Sequence, residues 1–281
     1  MPLPDPKPSV SQKSEGSPLD MPPVSNKALY AYRVLIKWFS FFVFGLFSII
    51  LTTIVLPFML IFIHPKKRRQ KLARRLISAA MRFFVSLTHV LGIVNLEVDN
   101  REAYRNLSSK IIVANHPSLL DVVMLLSLFP NADCIVNAYL KHHLLTVIAR
   151  QIYILGSLEH EELFRACTES LNNGNCLIVF PEGTRTPRSG KVVFRKGAAR
   201  IAMTSGCNIV PVHIGGTDKY GLGKKDPWTG FNPRERYVYR INMLKEVDPA
   251  KYQALSKPAA VRTLTGDLFA TLFPERAAIK S

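Results

Sequence analysis

The feature that most constrains this chain is an uninterrupted apolar stretch near its beginning. From Trp38 to Ile63, 26 consecutive residues carry no formal charge, and Phe, Ile, Leu and Val dominate them. At about 1.5 Å of rise per residue, a helix of this length covers the roughly 30 Å hydrocarbon core of a bilayer. We therefore expect this segment to lie in lipid. Because Pro57 interrupts it, a tilted span and a bent helix that enters one leaflet are both compatible.

The two flanks of the apolar stretch have opposite characters. Residues 1–25 are rich in Pro and Ser with few apolar side chains, so we predict a disordered tail. The stretch ends without a small-residue cleavage site, which argues against a cleaved signal peptide. Beyond it lies a basic cluster, which consists of Lys66, Lys67, Arg68, Arg69, Lys71, Arg74 and Arg75. Such a cluster marks the cytoplasmic face and an affinity for anionic headgroups. Residues 26–94 are thus predicted to anchor the following domain to the cytoplasmic face of the cell (inner) membrane.

The charge balance narrows the choice of partners. Thirty-seven Lys and Arg against 20 Asp and Glu give a net charge of +17, which favours anionic lipid, a nucleotide-containing cofactor or nucleic acid. The interleaved aromatic and basic pattern of RNA-binding strands is missing, so we expect no nucleic acid.

The pair His142-His143 lacks a helical partner and an acidic neighbour, so we expect no metal. The cysteines are spaced singly and are expected to be small core residues in a reducing compartment; they are Cys134, Cys167, Cys176 and Cys207.

From about residue 96, short apolar strands alternate with amphipathic helices, a pattern typical of a mixed α/β layer. We predict strands at Ile111–Ala114, Cys134–Val136, Cys176–Phe180, Ile209–His213 and Tyr237–Met243. We predict helices at Leu119–Leu128, Glu161–Leu171, Ala198–Thr204 and Ala259–Phe273. Residues 95–281 are accordingly predicted to form one α/β domain, a mixed sheet flanked by helices and preceded by the membrane-embedded segment.

The first candidate site is the segment from Asn115 to Asp121, directly after the strand Ile111–Ala114. Pro117 disfavours helical geometry at His116 and suits the first helical position, so His116 should lie at the strand-to-helix corner. Asp121 could then hold one ring nitrogen while the other takes a proton from a hydroxyl. In the alternative interpretation, His116 caps a helix and Asp121 complements its dipole.

The same histidine and aspartate spacing occurs a second time, between His213 and Asp218. This copy leads into a loop of glycines and charges, whereas the first leads into a strongly apolar helix. Because a motif counts only when its flanking elements fit, we interpret the second copy as a coincidence.

The second candidate site is Phe180–Arg185, which directly follows an apolar strand. A turn of this composition presents backbone N–H groups, a hydroxyl and a guanidinium together, which suits phosphate oxygens. Further cations follow at Arg188, Lys191, Arg195 and Lys196. A surface turn with Glu182 paired to Arg185 is the alternative.

Together these segments resemble the glycerolipid acyltransferase family, the 1-acylglycerol-3-phosphate acyltransferases and their lysophospholipid acyltransferase relatives. The resemblance covers roughly residues 95–220 and rests on Asn115–Asp121, Phe180–Arg185 and the strand Val210-Pro211-Val212. It implies that His116 is the general base and Asp121 its orienting partner. The substrate-binding residues that it implies are Asn115, Pro117, Ser118, Phe180, Pro181, Glu182, Gly183, Thr184, Arg185, Lys196 and Pro211.

The resemblance also implies direct attack of an acceptor hydroxyl on a thioester, with acyl-CoA or acyl carrier protein as the donor and no further cofactor. The absence of a Gly-x-Ser-x-Gly elbow agrees with a reaction that needs no acyl-enzyme. In this reaction Glu182–Arg185 would hold the phosphate end of the acceptor, and Pro211 would help to form the acyl site.

One difference from the family pattern weakens the case for lysophosphatidic acid as the acceptor. Many relatives that acylate a glycerol phosphate carry a Gly-x-x-x-x-Arg element, but here Gly156 is followed by no arginine before Arg165. In lacking this arginine, the chain resembles a bacterial subgroup of the family that is associated with specialised lipid or aryl polyene pathways. The sequence is also compatible with an acyl thioester hydrolase and with a membrane-attached binding protein. Acceptor, acylated position, chain length, donor and oligomeric state stay open.

Overall fold

The computed structural model describes residues 24–136, 153–155, 160–188 and 191–278. Nearly all of the predicted tail, the pair His142-His143 and Gly156 lie outside these ranges. The described residues contain one seven-stranded sheet in the order β1-β7-β6-β2-β5-β3-β4, parallel except between β6 and β7. The mixed sheet flanked by helices is thereby confirmed. Its strands are β1 Val94–Glu97, β2 Ile111–Ala114, β3 Ala132–Val136, β4 Tyr153–Leu155, β5 Cys176–Val179, β6 Ile209–Gly216 and β7 Tyr237–Met243.

Helices cover both faces of the sheet. They are α1 Lys27–Ile50, α2 Leu56–Phe62, α3 Lys66–Val90, α4 Arg101–Arg105, α5 Asp121–Leu128, α6 His160–Asn172, α7 Gly197–Ser205, α8 Lys257–Leu272 and α9 Pro274–Ala278. One apolar cluster joins the sheet to α3 and α5, and the other joins it to α6, α7 and α8. Cys134, Cys167 and Cys176 are buried in these clusters, as expected, while Cys207 is half-buried. Burial raises the pKa of the Cys134 thiol to about 12.

Several predicted boundaries shift. Helix α5 begins at Asp121, so Pro117 lies in the preceding turn and is not the first helical residue. Strand β5 ends at Val179, and β6 continues to Gly216 because it pairs with β7 over its outer half. The elements β1, β4 and α4 were not predicted, since runs of three to five residues show too little periodicity.

The N-terminal helix runs from Lys27 to Phe62 and is, by length and composition, able to cross a membrane. Between α1 and α2 it passes through a π-helical turn at Leu51–Val55, in which Leu56 N–H bonds to the Leu51 carbonyl. This register shift lies directly before Pro57, which has no N–H to donate. The wider π-helical turn therefore accommodates the proline, and the helix continues. Large apolar side chains such as Phe42, 68% exposed, remain uncovered.

One member of the basic cluster has a different role from the one predicted. Arg74 on α3 is buried, and its guanidinium binds both carboxylate oxygens of Asp133 at 2.7 and 2.9 Å. The Ser170 hydroxyl donates to the same carboxylate. The prediction that Arg74 faces lipid headgroups is therefore wrong, because this ion pair ties α3 to β3 and α6. A paired and hydrogen-bonded carboxylate is the arrangement that makes such burial tolerable.

Candidate active site

A histidine and a buried carboxylate meet where β2 ends. His116 follows β2 after one residue, and its Nδ1 lies 2.8 Å from Oδ2 of Asp121 at the start of α5. The Asp121 side chain is fully buried, whereas that of His116 is 17% exposed. Because a carboxylate accepts the hydrogen bond, Nδ1 carries the proton and Nε2 is the nitrogen that can accept one. The contact expected between these two residues is therefore present.

Asp121 is held from three directions. Ser118 donates to it twice, through its N–H to Oδ2 at 2.7 Å and through its hydroxyl to Oδ1 at 2.6 Å. The hydroxyl of Tyr239 on β7 lies 2.8 Å from Ser118 Oγ. Because the Ser118 hydroxyl uses its one proton in the bond to Asp121, the Tyr239 phenol, whose pKa burial raises well above its ordinary value, donates to Ser118 Oγ. A chain of hydrogen bonds thus runs from Tyr239 through Ser118 and Asp121 to His116.

The backbone of His116 is braced by the second motif. Its N–H donates to Glu182 Oε1 at 3.0 Å, and its carbonyl accepts from the Thr186 N–H at 2.7 Å. The Thr186 hydroxyl also donates to Glu182 Oε1 at 2.8 Å. Burial raises the pKa of Glu182, although these donors oppose the shift. The predicted phosphate-binding role would place this carboxylate near an anion, but here it is 5% exposed and positions the histidine.

Asn115 joins two strands behind the site. Its side chain donates to the Ile214 carbonyl at 2.9 Å and accepts from the Ile214 N–H at 2.7 Å. Because both groups of one amide are used, the end of β2 is locked to β6 directly before His116.

A cavity of about 1020 Å³ opens beside His116. Its described walls include the apolar side chains Leu119, Val122, Leu163, Phe164, Phe180, Phe194 and Ile201, and the cations Arg185, Arg195, Lys196 and Arg200. The Phe180 ring stacks on the His116 ring with centroids 4.3 Å apart, which holds the imidazole plane. The described walls contain no Asp or Glu. The cavity thus combines apolar space with positive charge next to a base.

Gly183 and the arginines shape the cationic side of this cavity. Gly183 has φ +65°, and a Cβ there would lie 2.7 Å from Arg195 Nε, so glycine lets that guanidinium pass close to the turn. Arg185 is held from behind, since its Nη1 donates to the carbonyls of Leu222 and Gly223 at 2.9 and 2.8 Å. The loop after β6 therefore positions the motif arginine.

Seven of the predicted site residues line the cavity, and they are His116, Phe180, Pro181, Gly183, Thr184, Arg185 and Lys196. The others lie outside its described walls. Asn115, Ser118 and Glu182 support the histidine or its aspartate, and Pro211 lies within β6 opposite Val113. Sequence reasoning missed Thr186, although it directly follows the second motif, and Tyr239, which no local pattern links to His116. Arg200 and Phe164 were also missed, although the basic run before α7 pointed to that region.

The second His and Asp pair has other partners. His213 lies inside β6, opposite Asn242 of β7, and the carboxylate of Asp218 binds the Arg188 guanidinium. The two residues therefore belong to different local structures. In the described parts of the chain, no group of three or more His, Cys, Asp or Glu residues could hold a metal ion.

Comparison with known proteins gives a consistent result. Residues 95–215 match the model of the family described as Acyltransferase. The chain is 26% identical to the chloroplastic 1-acyl-sn-glycerol-3-phosphate acyltransferase LPAT1 of Arabidopsis thaliana, over 62% of this chain and 48% of the relative. It is 33% identical to the 1-acyl-sn-glycerol-3-phosphate acyltransferase of Saccharomyces cerevisiae, over 42% and 44%. The chain spans about half the length of such relatives.

The fold has a solved counterpart. The crystal structure of the 1-acyl-sn-glycerophosphate acyltransferase PlsC from Thermotoga maritima aligns with a TM-score of 0.59 at 23% identity, over 83% of this chain and 94% of that one. The chain thus shares the fold of that structure, and residues 95–215 match the Acyltransferase model. Together with the two motifs, these matches support the glycerolipid acyltransferase family for this chain, as the sequence predicts.

Proposed function

We propose that this protein transfers a fatty acyl group from a thioester donor, acyl-CoA or acyl carrier protein, to a hydroxyl of a lysophospholipid-type acceptor. The single observation that carries the proposal is the 2.8 Å contact between His116 Nδ1 and the buried Asp121, at the wall of a large apolar and cationic cavity. The names of the relatives agree with this reaction class.

In this reaction His116 Nε2 takes the proton of the acceptor hydroxyl while the oxygen attacks the thioester carbonyl carbon. Asp121 stabilises the imidazolium that forms, because its carboxylate already accepts the Nδ1 proton. The carbon–sulfur bond then breaks, and the imidazolium returns its proton to the leaving thiolate. The acyl chain would occupy the apolar part of the cavity, near Phe164 and Ile201.

The acceptor's phosphate would bind at the cationic side of the cavity. Arg185 and Arg195 line it, and so do Gly197 and Ala198 in the first turn of α7. Backbone N–H groups at a helix start favour an anion, and the neighbouring cations add to this. Glu182 acts indirectly in this scheme, by holding the His116 backbone.

We further propose that the apolar helix Lys27–Phe62 holds this site at a membrane, with the catalytic domain on the cytoplasmic face of the cell (inner) membrane. The exposed apolar side chains of that helix and the basic residues at the start of α3 support the arrangement. An acceptor could then keep its own acyl chain in lipid while its hydroxyl reaches His116.

The test is acyl transfer from radiolabelled palmitoyl-CoA by the purified full chain, with a panel of lysophospholipids and a control without acceptor. We expect labelled product only with an acceptor, and the preferred lysolipid identifies the acceptor class. Release of label at the same rate without acceptor would show a thioester hydrolase instead. Transfer that is unaffected by His116→Ala would contradict the proposed site.

A further inference from the structure

A second cavity of about 680 Å³ adjoins the first. The two share three wall residues, Phe164, Lys196 and Arg200, so they lie side by side. The remaining walls come from the end of α7, from Gln253 and Leu255, and from the start of α8, where Lys257 is the first helical residue. We propose that this second cavity binds the phosphate groups of the thioester donor: the 4′-phosphate of a pantetheine arm and, in coenzyme A, the nucleotide phosphates. The inference rests on the proposed function.

The charge of the second cavity suits phosphate. Lys196, Arg200 and Lys257 line it, and its described walls contain no Asp or Glu. Such a site attracts a multiply charged anion without a competing carboxylate. Apolar surface lies beside the cations, including Leu255, which is 44% exposed. An adenine ring or the methyl groups of a pantetheine arm could pack against that surface.

The division of cations between the cavities follows from the reaction. Donor and acceptor must be bound together, and each carries phosphate, so one shared anion site would place like charges side by side. Arg185 and Arg195 lie in the first cavity with His116, where the acceptor hydroxyl must be. The donor's thioester must also reach His116, but its pantetheine arm separates that carbon from its phosphates. The neighbouring cavity, which shares Lys196 and Arg200 with the first, is therefore the place for them.

Lys257 is the residue to change, because it lines only the second cavity. Lys257→Glu reverses the charge at the first position of a 16-residue helix, where an acidic side chain is favourable to the helix dipole. The fold should therefore be retained. Arg262→Glu is the matched control, since Arg262 is an exposed cation on the same helix outside the described walls of both cavities.

The experiment compares kcat/KM for three donors in wild type and both variants: palmitoyl-CoA, palmitoyl-4′-phosphopantetheine and palmitoyl-pantetheine, which carries no phosphate. For Lys257→Glu we expect the ratio of the CoA thioester to the pantetheine thioester to fall about tenfold, the scale of one charge-assisted contact. Arg262→Glu should change the ratio less than about twofold.

The three donors also locate the phosphate that is bound. An equal loss with palmitoyl-4′-phosphopantetheine supports a site for the phosphate common to coenzyme A and carrier protein, and a loss with palmitoyl-CoA alone supports a site for the nucleotide phosphates. An unchanged ratio in Lys257→Glu, or an equal fall in Arg262→Glu, overturns the inference while the transferase stands. Wild type that transfers neither from these three donors nor from palmitoyl-acyl carrier protein overturns the proposed function, and this inference with it.

Discussion

Two segments of this chain share one spacing and have different structures. His116 and Asp121 are five residues apart, as are His213 and Asp218. The first histidine leaves its strand at once, so the turn through Ser118 folds the carboxylate back onto Nδ1. The second stays inside β6 for three further residues, and its aspartate pairs with Arg188. Spacing supplies the residues, whereas the local backbone decides whether they meet.

The largest contrast should come from removing each histidine. His116→Ala should lower kcat for acyl transfer by about a hundredfold or more, the size of a lost general base. His213→Ala should change it less than about threefold, because His213 lies outside the described cavity walls. Initial rates with palmitoyl-CoA and one lysolipid measure both. Equal losses in the two variants would contradict the assignment of the active site to His116 rather than to His213.

Replacing each of the two aspartates should give the same contrast in kcat, with a smaller difference between the variants. Asp121→Asn replaces an acceptor with an amide that cannot accept from His116 and from both Ser118 groups, so we expect kcat to fall roughly tenfold to a hundredfold. Asp218→Asn weakens a partly exposed ion pair and should cost at most a few-fold. A loss from Asp218→Asn that matches the loss from Asp121→Asn would contradict the assignment.

Tyr239 tests the hydrogen bonds that hold Asp121 through Ser118, and its effect on kcat should be smaller. Tyr239→Phe removes the hydroxyl that bonds to Ser118, so kcat should fall about threefold to tenfold with KM unchanged, in keeping with one neutral hydrogen bond. Tyr237→Phe is the control, because Tyr237 is equally buried two residues earlier and donates to the Tyr220 carbonyl. A rise in KM in place of a fall in kcat would assign Tyr239 to substrate binding.

The smallest effect concerns pH. Burial lowers the pKa of His213 from its ordinary 6.5, so the folded state favours the neutral ring. Its contribution is complete above pH 6.5 and is lost as the pH falls toward the lowered value, because the unfolded chain then binds the extra proton. In wild type, the urea concentration at the midpoint of unfolding should therefore fall as the pH is lowered from 7.5 to 5, and His213→Gln should reduce this fall. Both proteins are measured in the same detergent. An unchanged slope would show that His213 titrates alike in both states.

The predictable parts of this molecule are local in sequence. The apolar helix, the strands around both motifs and the corner at His116 each follow from residues within a few positions of one another. Even there, Pro117 was placed on the helix, although the turn that Ser118 forms with Asp121 delays the helix to Asp121. The basic run after the apolar stretch predicted a headgroup surface, yet Arg74 turns inward to Asp133, 59 residues away.

By itself, the sequence determined which chemical groups are present and the α/β class that carries them, because hydrophobic periodicity and turn residues act over a few positions. Only the tertiary structure decided that Tyr239 supports Ser118, that Thr186 and Glu182 brace His116, and that Lys257 lies beside the cavity. A hydrogen bond or an ion pair forms only within about 3 to 4 Å. The order of strands in the sheet sets which distant residues come that close, and no local pattern records that order.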